Sequence, residues 1–168
     1  GDESQSRGYA DEAARQLMAA AALVPDDAEL RYDLGRAFRF GGKPDTAMRE
    51  LEAAVRLKPE HALAWFEHGV LAIERLLMAR GHMRRGIAIQ RAYNLDSTGA
   101  AVAGVIVSKV GGGGDDPEAR AMAVRDFQKV IDLNVAGERA AFGRGMLLFL
   151  ETRWDDARRE LDAAVAAN

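Results

Sequence analysis

Ala28-Glu29-Leu30-Arg31-Tyr32-Asp33-Leu34-Gly35-Arg36-Ala37-Phe38 runs into a Gly41-Gly42-Lys43-Pro44 turn. A second run, Asp45-Thr46-Ala47-Met48-Arg49-Glu50-Leu51-Glu52-Ala53-Ala54-Val55-Arg56-Leu57, then closes on Lys58-Pro59. Both runs carry apolar residues at helical spacing, and the glycine pair between them breaks the helix. Gly35 and Ala47 are small where two antiparallel helices must approach closely. Leu51 and Leu57 are large where a following pair must be reached. Pro59 cannot continue a helix and forces the residue before it out of the α region, so the chain turns there.

The same grammar recurs along the chain. Upstream, Gly8-Tyr9-Ala10-Asp11-Glu12-Ala13 leads to Leu17, Ala20, Leu23 and Pro25, which reads as a second helix whose first helix is missing or survives only as residues 2–7. Downstream, Trp65 and Gly69 open a unit that closes on Ile89, Ala92 and Leu95. Gly145, Trp154, Ala157, Leu161 and Ala164 mark the last unit. The expected boundaries are 1–27, 28–61, 62–99, 100–137 and 138–168. The units at 62–99 and 100–137 are each about one helical turn longer than a repeat of about 34 residues.

These units resemble the tetratricopeptide repeat, closely in 28–61 and more loosely elsewhere. Arg85 stands where that family prefers Ala, and His68 where it prefers Leu. The resemblance implies an all-α, right-handed superhelical solenoid of antiparallel helix pairs. Residues 101–110 are β-branched and would read as a strand in isolation, but a lone strand has no partner here, so the repeat register makes them helical. Asp115-Asp116-Pro117-Glu118 is a helix start, with an Asp cap, Pro at the first position and an acid inside the first turn.

Composition narrows the function. The chain has 168 residues, 48% of them apolar and rich in alanine, enough for a packed helical core. The net charge of −3, with both signs interspersed, argues against nucleic-acid binding. The absence of cysteine removes disulfides, thiolate metal sites and Cys nucleophiles. No apolar run approaches the roughly 20 residues of a membrane helix, so direct membrane insertion is not expected. A cytoplasmic setting is slightly favoured over a periplasmic one, and the Ala- and Arg-rich composition hints at a GC-rich bacterial source.

The candidate chemistries are outweighed by plainer readings. The glycines at 111–114 precede a helix, but no Gly-Lys-Ser/Thr follows, and Asp115, Asp116 and Glu118 place negative charge where a phosphate would sit. His61 and His68 are seven residues apart, not at the four-residue spacing of a helical zinc pair. The pairs Asp26-Asp27, Asp115-Asp116 and Asp155-Asp156 fit helix starts better than acid–base catalysis. Arg75, Arg80, Arg84, Arg85 and Arg91 lack interleaved aromatics and read as a solvated face. No enzyme activity, metal or cofactor is expected.

The resemblance also implies a function: a scaffold or adaptor that binds a peptide, helix or partner subunit on the concave face of its first helices. The matching positions are Tyr32, Arg36, Arg39 and Phe40; Leu63, Phe66, Val70 and Ile73; and Phe142, Met146, Phe149 and Leu150. The fourth unit offers only Ala101, Gly104 and Ser108. Members that clamp a terminal carboxylate use Lys and Asn, where this chain has Asp33, Arg36, Glu67 and Val70, so that role is not supported. The apolar members would form an exposed strip, unless the superhelix itself covers them. The open ends of such a stack would also admit self-association. The alternative is a regulatory or substrate-docking repeat domain of a larger enzyme, suggested by an incomplete first unit and by the lack of a polar capping helix after Asn168.

Overall fold

The computed structural model describes residues 3–79, 116–133 and 137–166. Within them the chain is all-α, with α1 (Glu3–Leu23), α2 (Ala28–Phe40), α3 (Pro44–Leu57), α4 (Ala62–Ala79), α5 (Pro117–Asp132), α6 (Glu138–Leu150) and α7 (Trp154–Ala166). No strand occurs among the described residues. The readings for 101–110, for the glycines at 111–114 and for Arg85 lie outside them. The chain divides into two compact units, Gly1–His68 and Gly69–Asn168.

In the first unit, α1 packs on α2 and α2 on α3. The start of α2 is fixed by Asp27, whose carboxylate accepts the Leu30 N–H at 3.1 Å and satisfies one of the free donors of the first turn. Its end is closed by two reverse bonds, Gly41 N–H to the Ala37 carbonyl at 2.9 Å and Lys43 N–H to the Phe38 carbonyl at 2.8 Å. Between them Gly42 takes φ +72°, a conformation that costs glycine almost nothing. Pro44 then opens α3, where its missing N–H is not needed. A Cβ at Gly35 would lie 2.7 Å from the Leu51 Cγ and 3.3 Å from the Ala47 carbonyl oxygen. The small residue therefore sets the helix separation, and Ala47, Leu51 and Ala54 beneath it are fully buried.

The second unit repeats this pair almost atom for atom. A Cβ at Gly145 would lie 2.6 Å from the Leu161 Cγ and 3.3 Å from the Ala157 carbonyl oxygen. The intervening turn carries the same bonds, Glu151 N–H to Leu147 at 3.1 Å and Arg153 N–H to Leu148 at 2.9 Å. Thr152 stands in the place of Gly42 at φ +63°, a strained position for a β-branched residue. Ahead of this pair, α5 packs on α6. Asp116 caps α5 by accepting the Ala119 N–H at 2.9 Å, with Pro117 at the first position, as its sequence implies. Arg75 of α4 reaches Asp116 at 2.9 Å and Glu118 at 2.8 Å, so this arginine is paired rather than part of a free basic face.

Residues 3–7 do not form a short helix of their own: α1 runs unbroken from Glu3 through Gly8 to Leu23. Residues 3–7 contain no apolar side chain with which a separate short helix would hold itself against α1. Continuing the helix instead gains a backbone hydrogen bond per residue.

Candidate functional site

The helical repeat of α2 places Tyr32, Arg36 and Phe40 one turn apart on one face. The Arg36 guanidinium carbon lies 5.7 Å from the Tyr32 ring centre and 5.5 Å from that of Phe40, so two aromatic rings brace the cation. Its side chain remains 42% exposed. The nearest carboxylate oxygen, Oε1 of Glu67, is 3.9 Å from Nε, too far for a hydrogen bond, and Nε is buried without a partner.

Arg39, one turn from Arg36, behaves differently. It is only 2% exposed, and its Nη1 donates to Oε2 of Glu67 at 3.0 Å, itself buried. The reason is positional. Among the described residues, Ile73 and Phe149 occupy the matching repeat position on α4 and α6 and are equally buried, so Arg39 stands where these helices carry an apolar residue. A charge placed there needs a buried counter-charge, because removing either partner would strand the other in a low-dielectric surrounding. Glu67 supplies it. Arg36 meets the other oxygen of the same carboxylate only at 3.9 Å.

The remaining sequence candidates are not an exposed strip. Tyr32, Phe66, Val70, Ile73, Phe142, Met146 and Phe149 are all buried, as is Leu150, whereas Leu63 sits at the boundary of exposure. Phe142 meets the edge of Phe127 with ring centres 5.9 Å apart, and Phe149 meets Trp154 at 5.3 Å. Large aromatic surfaces at these positions close the core of each unit, the outcome expected when hydrophobic burial outweighs display.

His61 links the helices of the first unit. Its Nδ1 accepts the Ala64 N–H at 3.2 Å, capping α4, so the ring proton sits on Nε2 and is directed to Glu29 at 3.1 Å. Its ring stacks at a tilt on Tyr32, 4.8 Å between centres. Lys58 donates to the other Glu29 oxygen at 2.9 Å, and this bond above all holds the carboxyl below its ordinary range. His61 is a cap and a brace for Tyr32. Among the described residues no group of His, Asp and Glu has the arrangement of a metal site.

Residues 28–71 match the family model described as Tetratricopeptide repeat. That segment holds the Gly35–Ala47–Leu51 crossing, and the second unit rebuilds the same crossing from Gly145, Ala157 and Leu161. Residues 28–71 thus carry a tetratricopeptide repeat, and the helix pairs of the chain have the all-α, repeat-like form that goes with it. No curated protein sequence matches it. Among solved structures it is similar to MamA, at 21% identity over 99% of this chain and 92% of that one, with a TM-score of 0.40. The fold assignment rests on the helix pairs themselves.

Tetratricopeptide repeats are in general protein-interaction scaffolds, and the repeat at 28–71 supports a role of that general kind. No helix among the described residues is long and apolar enough to cross a membrane. Sequence reading missed the difference between Arg36 and Arg39. The signal was present, since Arg39 aligns with the apolar Ile73 and Phe149, and an arginine at a buried position requires an acid such as Glu67.

Proposed function

We propose that this chain is a scaffold that binds a partner peptide or helix on the exposed face of α2, through Arg36 flanked by Tyr32 and Phe40. The observation that carries this reading is the half-exposed Arg36 guanidinium, braced by two rings while the nearby carboxylate is committed to Arg39. A side chain held in place loses little further freedom on binding, and its charge is only partly neutralised. The ligand that fits is a segment with an acidic group for Arg36 and an apolar side chain for the exposed part of Phe40.

The test is affinity capture with the wild type and with Arg36→Glu, alongside their melting temperatures. Partners retained by the wild type should be lost from Arg36→Glu and partly recovered with Arg36→Lys, at nearly unchanged melting temperature. Equal capture by wild type and Arg36→Glu would refute the reading.

A further inference from the structure

His61 and Asp27 hold the same place at two helix starts: Pro25-Asp26-Asp27 leads into α2 as Pro59-Glu60-His61 leads into α4. Each side chain caps its helix by accepting an N–H three residues ahead. The Asp27 carboxylate takes that of Leu30 at 3.1 Å, and the His61 Nδ1 takes that of Ala64 at 3.2 Å. The Ala64 N–H also meets the His61 carbonyl oxygen at 3.1 Å. At the start of α5 the cap is again an aspartate, Asp116. The exchange of Asp for His changes what a proton does there. A carboxyl group keeps an acceptor oxygen whether or not it is protonated, whereas both nitrogens of an imidazolium are donors.

The surroundings of the ring suit the neutral form. Nε2 carries the proton and faces a Glu29 oxygen at 3.1 Å, while Nδ1 is committed as an acceptor. The residue is buried, and the Tyr32 ring lies against it with 4.8 Å between centres. A second proton would sit on Nδ1, facing the Ala64 N–H and the positive end of α4. To avoid that contact the ring must leave the cap. The charges around it do not offset the loss. From α2, Glu29 is 62% exposed and already accepts from Lys58 at 2.9 Å, so its attraction for an imidazolium is screened. Lys58, at the end of α3, also feels Asp27 and Glu60. Arg36, again from α2, brings its guanidinium to 5.7 Å from the same Tyr32 ring.

We propose that His61 is a pH-operated latch on the α2 face: protonation of Nδ1 releases its ring from the start of α4, and with it the support of Tyr32, one of the two rings that brace Arg36. The consequence for binding rests on the reading of the α2 face as the partner site, whereas the latch belongs to this chain alone. With His61 neutral, α4 is capped, Tyr32 is held, and the Arg36 platform is preformed. With His61 charged, Tyr32 regains freedom, and a partner would have to order it again on binding.

The test is nuclear magnetic resonance of the intact chain between about pH 8 and pH 5.5, the range in which imidazoles change charge. It follows the His61 imidazole, the Ala64 amide and the Tyr32 ring in the wild type, in His61→Asn and in His61→Asp. Asn caps a helix without titrating, and Asp repeats the cap that Asp27 makes. In the wild type the Ala64 and Tyr32 signals should shift with the midpoint of the His61 imidazole. The hydrogen-exchange protection of the Ala64 amide should fall about fivefold, the factor that loss of a side-chain cap implies. In both variants the two signals and the protection should stay constant. Ala64 and Tyr32 signals that hold still while His61 titrates would overturn the proposal. So would a His61 that takes up no proton across the range, or the same shifts in the variants. The readout needs no partner, so its failure leaves the reading of the α2 face standing; conversely, partner capture indifferent to Arg36→Glu would refute that reading and leave the latch in place.

Discussion

Replacing Gly35 by alanine sets two effects of opposite sign against each other. In an open helix interior, Gly→Ala stabilises by roughly 1 kcal/mol, because the unfolded chain loses freedom it would otherwise have to give up. At Gly35 the added Cβ would come within 2.7 Å of the Leu51 Cγ and 3.3 Å of a backbone oxygen. Leu51 is fully buried, so relief requires the two helices to separate, and overpacking of this kind costs about 1–3 kcal/mol. Gly8 supplies the control, since it lies inside α1 and a Cβ added there would meet no atom within 4 Å. Gly8→Ala should therefore stabilise, Gly35→Ala should be neutral to destabilising, and the two should differ by about 1–3 kcal/mol. For a chain of this size that is a separation of several degrees in melting temperature, measurable by circular dichroism and by urea titration at constant m. Gly145→Ala, with its Cβ 2.6 Å from Leu161, should follow Gly35→Ala. If Gly35→Ala stabilises as much as Gly8→Ala, the glycine does not set the helix crossing and the reasoning fails.

Thr152 sits at φ +63° in the turn where its counterpart is Gly42, so Thr152→Gly should raise stability by about 1 kcal/mol, read by urea titration; a loss would show that the threonine side chain holds the turn. Asp11 and Glu29 are both held below their ordinary values of 3.8 and 4.5, chiefly by hydrogen bonds from Lys43 and Lys58. A depressed folded-state value means that their stabilisation is present above the unfolded value and is lost as pH falls through the folded one. The melting temperature should thus drop with acidification below about pH 5, modestly because both groups are exposed, and Lys43→Ala should flatten the Asp11 part of that drop. An acid response unchanged by Lys43→Ala and Lys58→Ala would show that other carboxylates dominate.

Much of the fold was legible because its determinants are local and periodic. Gly35, Ala47, Leu51 and Pro59 state the pair, and Gly145, Ala157 and Leu161 restate it. Asp27 and Asp116 announce helix starts through chemistry that acts within three residues. Residues 3–7 continue α1 rather than stand as a separate first helix, because Gly8 permits a turn without requiring one and residues 3–7 hold nothing that would secure a helix of their own. The site was less legible. Register alone assigns residues to a helix face, but whether that face is wet depends on side chains from other helices. That is why Phe66, Met146 and Phe149 belong to the core, and why Glu67, distant in sequence, decides that Arg39 is buried while Arg36 is not.

The position of a bound partner can be read directly by site-specific photo-crosslinking. A benzoylphenylalanine in place of Phe40, beside Arg36, should crosslink the captured partner, whereas the same group at Glu52, on the exposed side of α3, should not. Crosslinking from position 52 with none from position 40 would place the partner on another surface and contradict the assignment of the α2 face.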